Sequence, residues 1–491
     1  MVEMTRDQFD IILIHPPFHR RSGSGSVPPL GLLSLSSALR HEGFSSKIID
    51  CALIFNSQTS DSLVEMRQWL SAILEEAGPR LVIGLGPCTT STIRAARAVA
   101  QTCRDIFPDV PLVCGGPLTL IPGIEWVIFE YIEATAMVRG DGEFAMPRIA
   151  RRLRLGRSLS GIPGVQTTAK EIVLPTFLEH LDSLPLPDWG QVELGQYFPS
   201  VRRDLFAYPA APLVGSRGCA LNCGFCLSGT LLKYRRHSLE YTAGHAALLT
   251  KHHGVKSLIF YDDCLFPPNS DCTKDLRTFG RLMHRSSAGA IWQMEIVPMT
   301  LQRLDSLTVK QLFNSGCRQL NIGVEKSSEN TLEAIGKKYS VEDLRDSCNL
   351  IKDAAPKMRL TASFILGGPG ETRESVHHTI ALAQELPLLY AHFYPLFLYP
   401  GTPLYNSAVG DHGKLWFKTV TLESSLWGEL VYQERELSGD QLVDLVQYAY
   451  SSFYGSTGWK EIARSELGNH FERVDRSVKR WTQDRFRLNK S

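Results

Sequence analysis

Three closely spaced cysteines are the most distinctive chemical feature of the sequence. Cys219, Cys223 and Cys226 lie in the segment GSRGCALNCGFCLSG, which has a C-x3-C-x2-C pattern. Thiolates this close along the chain can bind one metal centre, and soft sulfur ligands favour iron-sulfur clusters or zinc. Glycines in the loop allow tight turns and leave N–H groups near the sulfur atoms, and Phe225 can shield such a centre from water.

The number of cysteines favours iron-sulfur over zinc. A fully ligated 4Fe-4S cluster takes four cysteines, so a loop with three leaves one iron free to bind another molecule, as in an open catalytic metal site. A structural zinc site usually needs a fourth Cys or His at comparable spacing, and none follows soon after Cys226. A zinc or iron-sulfur scaffold without catalysis is kept as the alternative.

The loop belongs to a run of alternating strands and helices that must position it. Six strands are predicted in this part of the chain, at LVGSR, SLIFYDD, WQMEIV, QLNIGVE, LTASFIL and AHFYPLF. Six strand-helix units predict an α/β fold with a partial (β/α)6 barrel over residues 213–436. Chemistry in such barrels is found at the carboxyl ends of the strands. Residues 437–491 are predicted to be a helical C-terminal region.

An earlier alternation of strands and helices predicts a second α/β domain, doubly wound and Rossmann-like, over residues 1–155. Its ligand crevice is expected at the strand ends that carry His15, Gly86 and Gly116. Glycine there allows a ligand to approach the backbone, or simply makes the turn. Residues 156–212 interrupt the periodicity, are rich in proline around LDSLPLPDW, and are predicted to be a linker with a few short strands.

The cysteine loop resembles the signature of the radical S-adenosylmethionine (radical SAM) enzymes, including the aromatic residue before its last cysteine. This resemblance implies a 4Fe-4S cluster whose free iron chelates S-adenosylmethionine (SAM). One electron then cleaves SAM to methionine and a 5′-deoxyadenosyl radical, which abstracts hydrogen from a substrate. The order of motifs in FYDDCLF, NIGVEKSSENTLEAIGKKYS, FILGGPGET and YPGTPLY is similar to that of the family.

The family resemblance assigns further cofactor contacts. It places Asp262 and Asp263 at the end of the second strand, Glu325 at the end of the fourth strand, and Gly367 and Gly368 in a turn near the adenosyl group. An acidic pair is also common as a solvated strand end or a helix cap. Glu325 could instead form a structural salt bridge.

Asp263 is also a candidate for catalysis, as an acidic strand-end residue that could move protons, and so are two other residues. Glu295 stands in the third strand near where relatives often carry arginine, and is a candidate for substrate contact or proton transfer, or an ordinary paired carboxylate. Cys264 follows Asp263 at a strand end and could donate a hydrogen atom. The remaining seven of the eleven cysteines are expected to be small core residues.

The N-terminal half resembles the cobalamin-binding domain that precedes the barrel in one large radical SAM subgroup. The shared segments are HPPF, PPLGLLSLSSALRHEGF, IID, GLG, PDVPLVCGGP and VRGDGE. The sequence departs from that pattern in two ways. It has no Asp-x-His-x-x-Gly segment to supply an axial histidine, and Leu118 replaces a histidine common after Gly-Gly-Pro. The resemblance therefore leaves open whether cobalamin is bound.

The resemblances predict a biosynthetic radical SAM enzyme that abstracts hydrogen from carbon of a small molecule. The leading subtype is cobalamin-dependent C-methylation, in which methylcobalamin delivers a methyl group to the substrate radical. The alternative is a cobalamin-free dehydration, epimerisation or rearrangement. The electron would come from a donor such as flavodoxin or ferredoxin.

Composition restricts the partners and the location. The 52 Lys and Arg nearly balance the 51 Asp and Glu, so net charge gives no case for nucleic acid. Eleven unevenly spaced cysteines in 491 residues do not suit a disulfide scaffold and favour a reducing compartment. No signal peptide or apolar run of about 18 residues is evident, so a soluble, cytoplasmic protein without membrane attachment is expected.

Overall fold

The computed structural model describes residues 7–18, 27–55, 60–89, 91–197, 207–269, 271–287, 289–410, 415–417, 430–434 and 437–487. These residues form two compact units, one up to residue 197 and the other from residue 207 onward. The predicted α/β class is confirmed in both units.

The first unit is built on a six-stranded sheet. Its strands are β1 (Asp7–His15), β2 (Ser46–Asp50), β3 (Ala77–Leu85), β4 (Leu112–Cys114), β5 (Ala136–Val138) and β6 (Val165–Gln166). Their order is β2-β1-β3-β4-β5-β6, and every neighbouring pair is parallel except the last. The sheet is therefore doubly wound with one antiparallel edge strand.

Five α-helices accompany this sheet: α1 (Leu30–His41), α2 (Cys51–Ile54), α3 (Ser60–Glu76), α4 (Ile93–Ile106) and α5 (Gly142–Arg154). Helix α4 shows why they form and pack. Ile93, Ala96, Val99 and Cys103 recur at helical spacing and are all buried, whereas the arginines of the same helix are half-buried at its margins.

Much of the predicted linker is integral to the first unit. Residues 156–197 supply β6 and several single 3-10 turns. Asp188 of this segment is buried and accepts hydrogen bonds from Arg40 Nη1 at 2.9 Å and Ser36 Oγ at 3.2 Å, both on α1. The proline-rich composition reflects these turns, which pack against the unit through such contacts.

The second unit contains the predicted partial barrel. Its strands are β7 (Ala210–Leu213), β8 (Ser216–Arg217), β9 (Arg235–Arg236), β10 (Ser257–Phe260), β11 (Ile291–Ile296), β12 (Cys317–Glu325), β13 (Arg359–Leu366), β14 (Tyr390–Pro395), β15 (Leu415–Phe417) and β16 (Leu430–Tyr432). Six of them form one wholly parallel sheet in the order β7-β10-β11-β12-β13-β14. Its carboxyl ends lie at one edge and carry the loops with the predicted site residues.

The helices of this unit are α6 (Leu227–Leu231), α7 (Leu239–His252), α8 (Cys272–Ser286), α9 (Pro298–Leu301), α10 (Ser306–Asn314), α11 (Glu329–Ala334), α12 (Val341–Ala354), α13 (Arg373–Glu385), α14 (Pro403–Val409), α15 (Gly439–Gly455), α16 (Thr457–Leu467) and α17 (Phe471–Arg487). Several begin at a hydroxyl or carboxylate cap. Ser340, for example, accepts a hydrogen bond from the N–H of Asp343 at the start of α12.

Aromatic side chains fill the layer between the sheet and its helices. Phe260 and Trp292 of the sheet pack edge to face with Phe279 of α8. The C-terminal helices close the edge strand β14, because the Tyr450 hydroxyl accepts a hydrogen bond from the N–H of Phe393 at 3.1 Å. The Tyr454 hydroxyl likewise donates to the carbonyl of Ala391 at 3.0 Å, which satisfies edge groups that would otherwise be unpaired.

Within the described residues, every helix is too short or too polar to span a bilayer.

Candidate functional site

The cysteine loop runs from β8 into α6 at the carboxyl edge of the parallel sheet. Gly218 has a φ of +74°, and a Cβ there would lie 2.8 Å from the carbonyl oxygen of Lys233. Farther along, the N–H of Gly224 donates to the carbonyl of Ile335 at 2.8 Å, and its carbonyl accepts from the N–H of Leu404 at 2.9 Å. The loop is therefore held to the segments that follow β12 and β14.

The three thiols are accessible to different degrees. Cys223 is buried, and Cys219 and Cys226 are half-buried. A hydrogen bond from Cys264 lowers the pKa of Cys219 to about 7, and the N–H of Leu221 also donates to its sulfur at 3.4 Å. Burial raises the pKa of Cys223 to about 11. Cys219 is thus the thiol most readily deprotonated for metal binding.

The donor set suits a cluster. Among the described residues, no three Cys, His, Asp or Glu side chains converge closely enough to hold a single ion. Cysteines that ligate a 4Fe-4S cluster each bind a different iron atom, so they stand farther apart than the ligands of one ion. Phe225 packs against an apolar group that includes Ile335, Leu396 and Leu404, which limits water at this side of the loop.

Asp262 fastens the start of the loop. It is 2% exposed, and its carboxylate accepts hydrogen bonds from the N–H groups of Gly215 and Ser216 and, at 2.6 Å, from the Ser216 hydroxyl. Burial raises its pKa to about 7 although these hydrogen bonds oppose the shift. The Asp262 carboxylate thus binds the backbone N–H groups of the residues that precede the first cysteine of the loop.

The next two residues diverge. The Asp263 side chain is exposed and hydrogen-bonds to Ser228 in α6, directly after the cysteine loop. The Cys264 side chain is buried, and its thiol donates to Cys219. Both predicted catalytic residues therefore lie at the cysteine loop, one toward open space and one against a cysteine sulfur.

Glu325 ends β12 in an unusual backbone conformation. Its φ is +67°, a left-handed value that is costly for a residue other than glycine and that concentrates at functional sites. Its carboxylate pairs with Lys337 Nζ at 2.8 Å, and Lys337 also donates to the carbonyl of Gly323 at 2.7 Å. Burial alone would lower the pKa of Lys337, but Glu325 and the thiols of Cys223 and Cys226 raise it overall.

A second buried ion pair holds the glycine-rich turn. Lys326 is fully buried and pairs with Glu371, which is 2% exposed, while the same ammonium donates to the carbonyl of Gly367. Gly367 and Gly368 have φ values of +83° and +137°, which require glycine. The turn predicted to contact SAM is thus held in place by the ammonium group of Lys326, which directly follows β12.

Glu295 lies in β11, and its side chain is on the face of the sheet opposite the helices. Its carboxylate is accessible to solvent there and accepts a hydrogen bond from Asn321 Nδ2 at 3.0 Å. The surrounding protein and the nearby carboxylates of Glu325 and Asp263 raise its pKa to about 7. It has no ion pair with any described residue, in contrast with the paired-carboxylate alternative.

In the first unit, His15 ends β1 within a small polar group. Its Nδ1 lies 2.8 Å from Asp50 Oδ1, and the Tyr197 hydroxyl donates to Asp50 Oδ2 at 2.8 Å. His15 is 6% exposed. Asp50 orients the ring so that Nε2 is the nitrogen left for other contacts.

The two predicted glycine turns of the first unit pack on one another. A Cβ at Gly86 would lie 2.8 Å from the carbonyl oxygen of Gly115, and one at Gly116, whose φ is +115°, would lie 2.6 Å from the nitrogen of Cys88. These glycines permit the close approach of two loops of the chain itself. A Cβ at Gly115, by contrast, would meet nothing within 4 Å.

Sequence reasoning missed three charged residues of this site: Lys326, Lys337 and Glu371. Lys326 directly follows Glu325, and Lys337 lies in the same motif. A lysine close to a strand-end glutamate is the feature of the sequence that could have predicted these ion pairs. Burial decides their importance, and burial depends on the tertiary structure.

Comparison with known proteins finds a family match over part of the chain. The model of the radical SAM superfamily matches residues 213–383. An uncharacterized methyltransferase of Pyrococcus horikoshii is 29% identical over 458 residues, which cover 90% of this chain and 92% of the relative. The anaerobic magnesium-protoporphyrin IX monomethyl ester cyclase of Rubrivivax gelatinosus is 24% identical over 76% of this chain and 65% of its own length.

Two solved structures share the fold of nearly the whole chain. The radical S-adenosylmethionine methyltransferase TsrM from Kitasatospora setae, with cobalamin and a 4Fe-4S cluster bound, has a TM-score of 0.70 at 18% identity and covers 98% of this chain and 100% of its own. The cobalamin-dependent S-adenosylmethionine radical enzyme OxsB, with aqua-cobalamin and S-adenosylmethionine bound, has a TM-score of 0.69 at 13% identity, covering 97% and 72%.

Proposed function

We propose that this chain, which belongs to the radical SAM superfamily, is a cobalamin-dependent enzyme that methylates a carbon atom of a small molecule. The observation that supports the radical chemistry is the cysteine loop at the carboxyl edge of a parallel sheet, with Glu325, Lys337 and the Gly367–Gly368 turn on the adjoining strands. The observation that supports methylation is the likeness of the whole chain to TsrM and to the Pyrococcus methyltransferase.

Cys219, Cys223 and Cys226 would hold the cluster, which when bound supplies the electron that cleaves SAM to methionine and a 5′-deoxyadenosyl radical. Lys337 offsets the negative charge of two of these thiolates, as its raised pKa indicates. The Glu325 carboxylate, oriented by Lys337, would accept a hydrogen bond from the SAM amino group. The backbone of the turn held by Lys326 would contact the adenosyl group.

Three residues are proposed for proton or hydrogen transfer. Glu295, whose pKa is raised to about 7, can take or return a proton near neutral pH. Asp263 is exposed beside the loop and could do the same. Cys264 is proposed as the hydrogen donor, although its thiol lies against Cys219.

Cobalamin, when bound, would carry the methyl group at the first unit. The fit rests on the strand-end loops: a Cβ at Gly115 would meet nothing within 4 Å, and the N–H of Cys88 in the neighbouring loop donates to the Gly115 carbonyl at 2.7 Å. The His15 ring, oriented by Asp50, is a polar contact. We further propose residues 1–155 as the cobalamin-binding part, residues 213–436 as the radical SAM part and a flavodoxin or ferredoxin as electron donor.

The cluster assignment is tested by replacing Cys219, Cys223 and Cys226 with alanine. We expect the anaerobically reconstituted variant to lose the brown cluster absorption and all 5′-deoxyadenosine formation. Cys103→Ala is the matched control, since Cys103 is buried in α4 of the first unit and should leave both unchanged. SAM cleavage by the triple variant would overturn the proposal.

The methylation subtype is tested by the absorption spectrum. Protein purified anaerobically with supplied cobalamin should show a corrinoid spectrum, and two SAM should be consumed per methylated product, one as methyl donor and one as radical source. A protein that retains no corrinoid has the second candidate function, a cobalamin-free dehydration, epimerisation or rearrangement. That candidate is favoured by Leu118, which is 1% exposed where relatives commonly carry histidine.

A further inference from the structure

We propose that the inner face of the parallel sheet binds a substrate that carries a protonated amine and several hydroxyl groups, with Glu295 as the partner of the ammonium. The inference rests on the proposed function in one respect, that the reaction takes place at this sheet. It adds the chemical class of the substrate and the residues that recognise it.

Side-chain alternation identifies the inner face. On β11, Trp292 points toward the helices, where it packs on Phe279 of α8. Because successive side chains of a strand point to opposite faces, Gln293 and Glu295 point inward. Leu320 and Ile322 of β12 pair in register with Met294 and Ile296 and are likewise buried on the helix side, so Gln319 and Asn321 point inward.

The strand register places five inward polar residues side by side. Gln293 pairs with Gln319, and Glu295 pairs with Asn321, which pairs in turn with Thr361. Gln319 Nε2 donates to Asn321 Oδ1 at 2.7 Å, and Asn321 Nδ2 donates to Glu295 Oε1 at 3.0 Å. Three adjacent strands thus form one continuous polar patch.

Several atoms of this patch have no hydrogen-bond partner among the described residues. They are Gln293 Oε1, Gln319 Oε1 and Thr361 Oγ1. The side chains that carry them are more than nine-tenths buried, at 7%, 8% and 6% exposure. Buried amide oxygens without partners are costly, and hydroxyl or ammonium groups of a ligand are the donors that would satisfy them.

The charge at the Glu295 end of the patch favours a cation. Glu295 has no described cationic partner, and Asp263 and Glu325 raise its pKa through their negative charge. Lys337 is committed to Glu325. Arg359 pairs in register with Gln319, and it lines one pocket with Arg318, Gln293 and Gln319, so the arginines lie at the other end of the patch. An anionic substrate would meet Glu295 directly, whereas an ammonium would pair with it.

The test uses three six-carbon polyols that differ at one end: glucamine with an amine, sorbitol with a hydroxyl and gluconate with a carboxylate. Binding is measured by calorimetry on the anaerobically reconstituted enzyme with SAM and without reductant, at about pH 8, where Glu295 is ionised. We expect glucamine to bind about tenfold more tightly than sorbitol, and gluconate more weakly than both.

Variants of the patch residues test whether they cause the preference for glucamine over sorbitol. Glu295→Gln should abolish the preference for glucamine over sorbitol, and Thr361→Val should weaken both polyols by a similar factor. Glu342→Gln, an equal charge change at the exposed start of α12, is the control and should retain the wild-type order. Circular dichroism checks that each variant is folded.

Three results would overturn the inference: tighter binding of gluconate, an amine preference that survives in Glu295→Gln, or no saturable binding of glucamine. Because no reductant is present, none of these results bears on SAM cleavage. Failure of the proposed function would instead be seen as missing 5′-deoxyadenosine, so the two failures are distinguishable.

Discussion

The carboxyl edges of the two sheets carry the same kind of loops and differ in how their polar groups are satisfied. In the first unit, His15, Asp50 and Tyr197 satisfy one another, and the glycine loops pack backbone to backbone. In the second unit, the carboxyl edge carries three free thiols, and the inner face of the sheet carries a carboxylate without a described cation and two amide oxygens without described partners. Parallel α/β topology places a ligand edge in each unit, but of the two described edges it is the second that leaves such groups available to a bound partner.

The largest expected effect comes from breaking the buried ion pair of the second unit. Lys326→Met leaves the Glu371 carboxylate buried without its cation, which costs about 3–5 kcal/mol. We expect the thermal unfolding midpoint, followed by circular dichroism, to fall by roughly 6–20 °C. The KM for SAM should rise, because the Gly367–Gly368 turn loses its anchor.

The double variant Lys326→Met/Glu371→Leu is the matched control for that prediction. Removing both charges should restore most of the stability, since no unpaired charge remains. A single variant as stable as the wild type would contradict the role assigned to the pair.

A smaller effect is expected from the glycine loops of the first unit. Gly116→Ala places a Cβ 2.6 Å from the nitrogen of Cys88 at a φ of +115°, and should cost about 1–3 kcal/mol. Gly115→Ala adds a methyl group in open space and should change stability by less than about 0.5 kcal/mol. Urea denaturation measures both.

Cobalamin titration of the same two variants separates an effect on cofactor binding from an effect on stability. If the open backbone at Gly115 contacts the cofactor, Gly115→Ala should weaken cobalamin binding without loss of stability. Unchanged binding would place the corrin elsewhere on the first unit.

A third, still smaller effect is expected in the first unit, where His15, Asp50 and Tyr197 hydrogen-bond to one another. Tyr197→Phe removes one hydrogen bond to Asp50 and should cost about 1 kcal/mol, because Asp50 keeps its bond to His15. Tyr131→Phe, which removes a hydroxyl from a ring that lies under Arg97, serves as the control. A loss above about 3 kcal/mol would mean that the three groups depend on one another far more than their separate bonds indicate.

A pH dependence is expected at Glu295, and it is ranked last because this side chain is exposed and solvent screens its charge. Its pKa rises from an ordinary value of 4.5 to about 7 on folding, so the folded protein binds more protons than the unfolded chain between these values. Stability should therefore fall as pH rises through this window. Glu295→Gln should remove that decline, and its gain in melting temperature should grow from pH 4.5 to about 7 and then stay constant.

Glu342→Gln should show no such gain, since Glu342 is exposed in α12. A gain for Glu295→Gln that is the same at every pH would assign the effect to packing rather than ionisation.

Much of the fold and part of the site could be predicted from sequence. The alternation of apolar strands and amphipathic helices predicts both parallel sheets, because burial of one face imposes that periodicity locally. The cysteine spacing predicts the metal-binding loop, and the positive φ values at Gly367 and Gly368 match the turn predicted from FILGGPGET. Short strands were predicted between residues 156 and 212, but the antiparallel pairing of β6 with β5 was not, since two residues carry no periodicity that indicates a partner.

Residue types and spacing therefore determined the resemblance to radical SAM enzymes, the cysteine loop and the alternation of strands and helices, because each depends on neighbours along the chain. Only the tertiary structure decided that Asp262 anchors the loop backbone, that Lys326 and Lys337 are buried beside carboxylates, and that Glu295 stands without a described cation. Burial and pairing arise between residues far apart in sequence, and the energy of a charged group depends on both.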